Sequence, residues 1–133
     1  MHKGDVMPAA AYEQIEANTN AYLIDVRTDA EWNFVGVPAV DRLLRLSWQS
    51  YPTMERNARF VEMVEEAGIP RDAEIYLICR SGARSAAAAI ALTDAGFANC
   101  YNVAQGFEGD RDGEGHRGTV GGWKRAGLPW VQG

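Results

Sequence analysis

The chain has 133 residues, enough for one substantial hydrophobic core and too few for two, so residues 1–133 read as a single domain. Apolar residues make up 47% and charged residues 23%, a balance that excludes a disordered or low-complexity polymer. The formal net charge of −5 argues against a nucleic-acid partner, because phosphate binding draws on a surplus of Lys and Arg that is missing here.

No apolar run approaches the length of a membrane span, and Met1 to Val6 lead into no apolar segment of a secretory signal. The expectation is therefore a cytoplasmic protein with no membrane partner. Two cysteines, Cys79 and Cys100, are too few for the disulfide framework of a small secreted chain, and both read as reduced thiols.

Pro8 to Asn18 predicts a short amphipathic helix, with Pro early, Ala11, Tyr12 and Ile15 at helical spacing, and Asn18-Thr19-Asn20 as its break. Tyr22-Leu23-Ile24-Asp25-Val26 is a nearly continuous apolar run, as in a strand buried on both faces of a parallel sheet. Thr28-Asp29-Ala30-Glu31 has the form of a capping box and opens a helix reaching about Phe34. Gly36-Val37-Pro38 ends that helix, and Arg42 to Trp48 alternates loosely as a weak strand. From Thr53 to Ala67 the spacing predicts one helix, with Phe60, Val61, Val64 and Ala67 on a face and Gly68 and Pro70 as its stop.

Glu74 to Cys79 is the second clear strand, Ser85 to Ala95 an alanine-rich helix closed by Gly96, and Asn99 to Val103 a further strand. Strands alternating with helices, joined by connections too long for hairpins, predict an α/β fold with a mostly parallel sheet. Gln105 to Gly122 is rich in Gly, Asp, Glu and Arg and has no hydrophobic period, so it reads as a long loop that walls or covers a site. Trp123 to Trp130 returns apolar residues to the body of the domain.

Chemistry concentrates in Cys79-Arg80-Ser81-Gly82-Ala83-Arg84-Ser85, between a strand and a helix. This places the Cys79 thiol at the carboxyl edge of the sheet, facing the first turn of a helix whose unpaired N–H groups favour a thiolate. Arg80 and Arg84 supply cations for an anionic substrate, and Ser81 and Ser85 supply hydroxyls. Gly82 lets successive N–H groups converge on one point, and Ala83 completes the turn. The competing interpretation is a buried strand-end cysteine among solvated surface arginines; the strand-to-helix context favours an anion cradle around a nucleophile.

This loop resembles the active-site loop of rhodanese sulfurtransferases. Leu23-Ile24-Asp25-Val26-Arg27, with Glu31 and Gly36 beyond, is similar to that family's first signature. Tyr101-Asn102-Val103 with Gly106-Phe107, then Gly121-Gly122-Trp123 and Gly127-Leu128-Pro129-Trp130, resembles its closing motif. The resemblance implies a five-stranded parallel sheet flanked by helices on both faces. It further implies transfer of a sulfane sulfur from a donor anion such as thiosulfate, through a persulfide on Cys79, to a thiol, cyanide or protein acceptor. Arg80, Ser81, Gly82, Ala83, Arg84 and Ser85 would bind substrate, and no cofactor or metal is implied.

Two alternatives stay open. Phosphatases and arsenate reductases of similar architecture place one more residue between cysteine and arginine, which fits a tetrahedral oxyanion better than the four residues Arg80 to Ala83 do. A binding or redox-sensing module of the same family would use the domain with little turnover.

Some features depart from the family pattern. Gly36-Val37-Pro38-Ala39-Val40 stands where the family often has Gly-His-Ile-Pro-Gly-Ala. The charged insertion Glu108 to Thr119 is either a solvated loop or a segment whose His116 or Arg117 reaches over Cys79. Asp25 and Arg27 read as residues that hold the fold. Cys100 reads as a buried inert thiol, with a resolving disulfide to Cys79 as the alternative. Trp32, Trp48, Phe107 and Trp123 read as core or rim aromatics. The two histidines, His2 and His116, lie at no metal-ligand spacing, and no nucleotide-binding glycine fingerprint occurs.

Overall fold

The computed structural model describes residues 2–50 and 52–132. Strand β1 (Gly4–Val6) leads through α1 (Pro8–Ala17) to β2 (Ala21–Asp25), then α2 (Asp29–Val35), the two-residue β3 (Val37–Pro38) and β4 (Leu43–Arg45). A small hairpin, β5 (Gln49–Ser50) and β6 (Glu55–Arg56), precedes α3 (Phe60–Glu66) and β7 (Glu74–Ile78). Helix α4 (Ala83–Asp94), β8 (Asn99–Val103) and β9 (Trp130–Val131) follow.

Five strands form one parallel sheet in the order β1-β8-β7-β2-β4. Side chains of β7 alternate between two cores. Ile75, Leu77 and, just past the strand, Cys79 pack with Phe60, Val64, Ala88, Ala89 and Leu92 from α3 and α4. Tyr76 and Ile78 pack on the other face with Ala11 and Ile15 of α1 and with Phe107 and Trp123. Burial on both faces is why the central strands read as unbroken apolar runs. The small Ala88 and Ala89 let α4 lie close to the sheet and bring its N-terminus to the end of β7.

The structure departs from the sequence expectation most at two places. Gly4–Val6, unmarked in the sequence, is an edge strand whose three residues pair with Tyr101, Asn102 and Val103. The single helix expected from Thr53 to Ala67 is only α3, with a hairpin before it. Met54 has a left-handed backbone, φ 59°, that interrupts a right-handed helix. Asn57 then draws the chain back towards β4: its N–H donates to Trp48 O at 2.8 Å and its side-chain amide to Ser47 O at 3.1 Å. Its own Oδ1 and C=O accept from Arg59 and Phe60, so the helix begins only there.

At the carboxyl end of β2, Asp25 and Arg27 form a fully buried ion pair. Arg27 Nε donates to Asp25 Oδ1 at 2.9 Å, and Nη2 donates to Asp25 Oδ2 at 2.7 Å and to Gly36 O at 2.6 Å. The guanidinium lies 4.3 Å over the Phe107 ring. One pair thus joins β2, the end of α2 and the loop after β8. Gly36 is required beside it, because its φ of 107° suits glycine and a Cβ would come within 2.8 Å of the Trp130 ring in β9. No helix among the described residues is long and apolar enough to cross a membrane. Arg27→Met strands a buried carboxylate and is expected to lower stability by about 3–5 kcal/mol, measured as a fall in the urea midpoint with an unchanged m-value.

Candidate active site

Cys79 follows the last residue of β7, is 1% exposed, and sits where the chain turns from the sheet into α4. The Gly82 N–H donates to Cys79 Sγ at 3.1 Å. Gly82 is the N-cap of α4 and has φ 121°, a backbone conformation that L side chains rarely adopt. Ser85, in the first turn of the helix and fully buried, holds its Oγ 3.2 Å from Sγ. Ser81 is half-buried and Ala83 exposed, and among the described residues neither makes a hydrogen bond to the sulfur.

The two arginines of the loop have different surroundings. Both Arg84 Nη atoms donate to Glu31, at 2.7 Å to Oε1 and 3.0 Å to Oε2, in a bidentate pair that is largely shielded from solvent. Burial would raise the Glu31 carboxyl, but hydrogen bonds from Arg84 and Thr28 and the Arg84 charge hold it down at about 2. Burial would lower the Arg84 guanidinium; its bond to Glu31, with smaller effects of Cys79 and Asp25, holds it above its usual value. Glu31 is itself fixed by the capping box with Thr28 at the start of α2. Arg80 is exposed and has no ion pair among the described residues. It lines a cleft of about 540 Å³ with Arg84, Glu31, Phe34, Gln49 and Met54.

The loop after β8 braces this turn from behind. Cys79 O accepts from Phe107 N–H at 2.7 Å, and Arg80 O accepts from Glu108 and Gly109 N–H at 3.0 and 3.2 Å. Gly106, φ 59°, permits the approach, since a Cβ there would lie 2.4 Å from Cys79 O. The sequence alone places Phe107, Glu108 and Gly109 in a loop expected to wall or cover a site but does not foresee that their N–H groups hold the cysteine turn, although the glycines around them mark a close backbone approach. Nor does it single out Asn102, whose Oδ1 lies 2.5 Å from Ser85 Oγ and whose Nδ2 donates to Asp5 Oδ1 at 3.1 Å. A polar residue at an inward position of a buried strand is the signal it offers.

Beyond Gly109, the charged insertion bonds mainly to its own residues. Asp112 accepts from the N–H groups of Glu114 and His116 and from the Thr119 hydroxyl, and these bonds, Thr119 first, hold its carboxyl below the usual range. Arg117 donates to Gly109 O at 2.7 Å and His116 is exposed; among the described residues neither has a hydrogen bond or ion pair with Cys79. Cys100 is no resolving partner within the chain. It stands opposite Ile75, four residues back along β7 from Cys79, so about 13 Å away and beyond the reach of a disulfide. Burial pushes its thiol up to about 11, against a hydrogen bond with Thr93.

A sequence-family model described as the STR4 middle domain matches residues 4–133. The crystal structure of Rv0390 from M. tuberculosis superposes with a TM-score of 0.92 at 42% identity, covering 100% of both chains. The uncharacterized protein RP600 homolog of Rickettsia rickettsii is 39% identical over 129 residues, 95% of each chain. A thiosulfate sulfurtransferase, GlpE of Actinobacillus succinogenes, is 27% identical over 125 residues, 94% of this chain and 87% of that one.

The Glu31–Arg84 pair carries an acid signature. Its carboxyl lies lower in the folded chain, about 2, than its usual 4.5, so its stabilisation is complete above about pH 4.5 and is lost as pH falls towards 2. Thermal unfolding between those limits should show a smaller decline with acidification in Glu31→Gln than in the parent, measured by circular dichroism.

Proposed function

The chain belongs to the rhodanese-like family, and from that premise we propose that it is a sulfurtransferase carrying a persulfide on Cys79. The observation that carries this reading is the buried Sγ at the sheet edge, met by the Gly82 N–H at the N-terminus of α4. After the thiol proton is lost to solvent, the thiolate attacks the outer sulfur of thiosulfate. The sulfur–sulfur bond of the donor breaks, its electron pair leaves on sulfite, and Cys79 keeps the sulfane sulfur as a persulfide anion. An acceptor thiolate or cyanide then attacks that outer sulfur and releases the Cys79 thiolate. Dividing the transfer into two displacements is nucleophilic catalysis, with the helix terminus supporting the anion at each stage.

In this reading Arg80, exposed on the cleft, screens the departing sulfite. Arg84 acts differently, because its fork is engaged by Glu31: it holds the loop against α2 and contributes little net positive charge. The same engagement weighs against phosphate or arsenate chemistry, in which the arginine fork must grip the oxyanion itself. The reading as a binding module of low turnover draws on the cleft, where Phe34 is 79% exposed beside Met54 and Arg80, a surface suited to a protein acceptor.

Intact-mass analysis separates these readings. Incubation with thiosulfate should add one sulfur, cyanide should remove it, and Cys79→Ser should never gain it. A chain that stays unmodified in excess donor counts against sulfur transfer and for the binding module. Arg80→Ala should lower kcat/KM for thiosulfate about two- to fivefold, the range of an exposed ion pair, in a steady-state assay.

A further inference from the structure

Behind Cys79 runs a chain of polar groups that starts on the edge strand. The β1–β8 register sets Asp5 directly beside Asn102, and Asn102, 5% exposed, reaches across to Ser85. The contacts are Asp5 Oδ1 to Asn102 Nδ2 at 3.1 Å, Asn102 Oδ1 to Ser85 Oγ at 2.5 Å and Ser85 Oγ to Cys79 Sγ at 3.2 Å. Asp5 Oδ1 also lies 3.3 Å from His2 Nε2, and Ser85 Oγ lies 3.3 Å from Gly82 O.

Counting hydrogens gives this chain a direction. An ionised carboxylate can only accept, so Asp5 turns the NH2 end of Asn102 towards itself and the carbonyl end towards Ser85. The Ser85 hydroxyl has one hydrogen for three acceptors within reach. The shortest contact, to the buried Asn102 carbonyl, takes it, and Ser85 then presents a lone pair to Cys79. That lone pair suits a thiol, whose S–H it accepts, and opposes a sulfur anion. Ser85 can turn its hydrogen to the sulfur only by leaving the Asn102 carbonyl unsatisfied in the core.

We propose that Asp5 is a positioning residue that restrains Cys79 through Asn102 and Ser85, fixing the relay in the direction that favours the thiol over the thiolate. The proposal deepens the reading of Cys79 as a nucleophile and rests on it. Without Asp5, the Asn102 amide is free to turn over. Its NH2 then donates to Ser85, and Ser85 donates to the sulfur. Removal of a side chain from an edge strand, at a distance from the sulfur, thereby makes the cysteine more reactive.

The test is the rate at which iodoacetamide alkylates Cys79 at pH 7, followed by mass spectrometry on the whole chain without sulfur donor. Asp5→Ala should accelerate alkylation about two- to tenfold, the span of one net hydrogen bond. In a Ser85→Ala background the same substitution should change nothing, because the link to the sulfur is gone. Structural damage would not produce that combination of gain and dependence on Ser85. Asp5→Asn keeps the side-chain size, permits both orientations of Asn102 and should also accelerate the reaction, which covers the case of an Asp5→Ala chain that folds poorly. A fall or no change in both Asp5 variants, or an equal acceleration with and without Ser85, overturns the proposal. Because alkylation needs no donor, failure of thiosulfate to load Cys79 would defeat the sulfurtransferase reading and leave this one standing.

Discussion

The organisation of the site depends on a charge buried where water cannot reach it. Arg27 has no exposed surface, and its position is tolerable only because Asp25, the Gly36 carbonyl and the Phe107 ring surround it at contact distance. Each partner belongs to a different segment: β2, the end of α2 and the loop after β8. Seating one guanidinium therefore fixes the two walls between which the cysteine turn lies. Through α2 it sets the place of Glu31, and through Phe107 it sets the backbone that binds Cys79 O. The geometry of the cysteine turn and the stability of the fold share the same few bonds here.

The charge of the cysteine loop differs from a count of its residues. Two arginines suggest a strongly positive cradle, yet Arg84 is spent on a carboxylate that reaches it from another helix. Among the described residues that line the mouth, one exposed cation remains, Arg80, beside an apolar surface that includes Phe34 and Met54. Such a mouth is better matched to a singly anchored anion or an acceptor with an apolar body than to a group that needs charge on every side.

Much of the fold was legible because periodicity and capping are local. The apolar runs of β2 and β7, the Thr28 capping box, the alanine face of α4 and the strand-to-helix placement of Cys79 are each written within a dozen residues. What escaped depends on partners distant in sequence. Gly4–Val6 is a strand only because β8 offers its edge, and residues 53–59 leave the helical pattern because Asn57 bonds back to Ser47 and Trp48. The same holds within the site. Cys79 and its loop announce themselves, whereas Glu31, Asn102 and Phe107 acquire their roles from the sheet order, and the pairing of Arg84 with Glu31 spans 53 positions.

The bonds from Phe107, Glu108 and Gly109 have a consequence for the work of reorganisation. With Cys79 O and Arg80 O both held from behind, the peptide planes that follow these residues cannot turn over without breaking hydrogen bonds. In water, a dipole must rotate to meet each new charge, and that rotation is part of the barrier. Here the two peptide dipoles that follow Cys79 and Arg80 are already fixed, so a charge arriving at this turn finds that part of the rotation done.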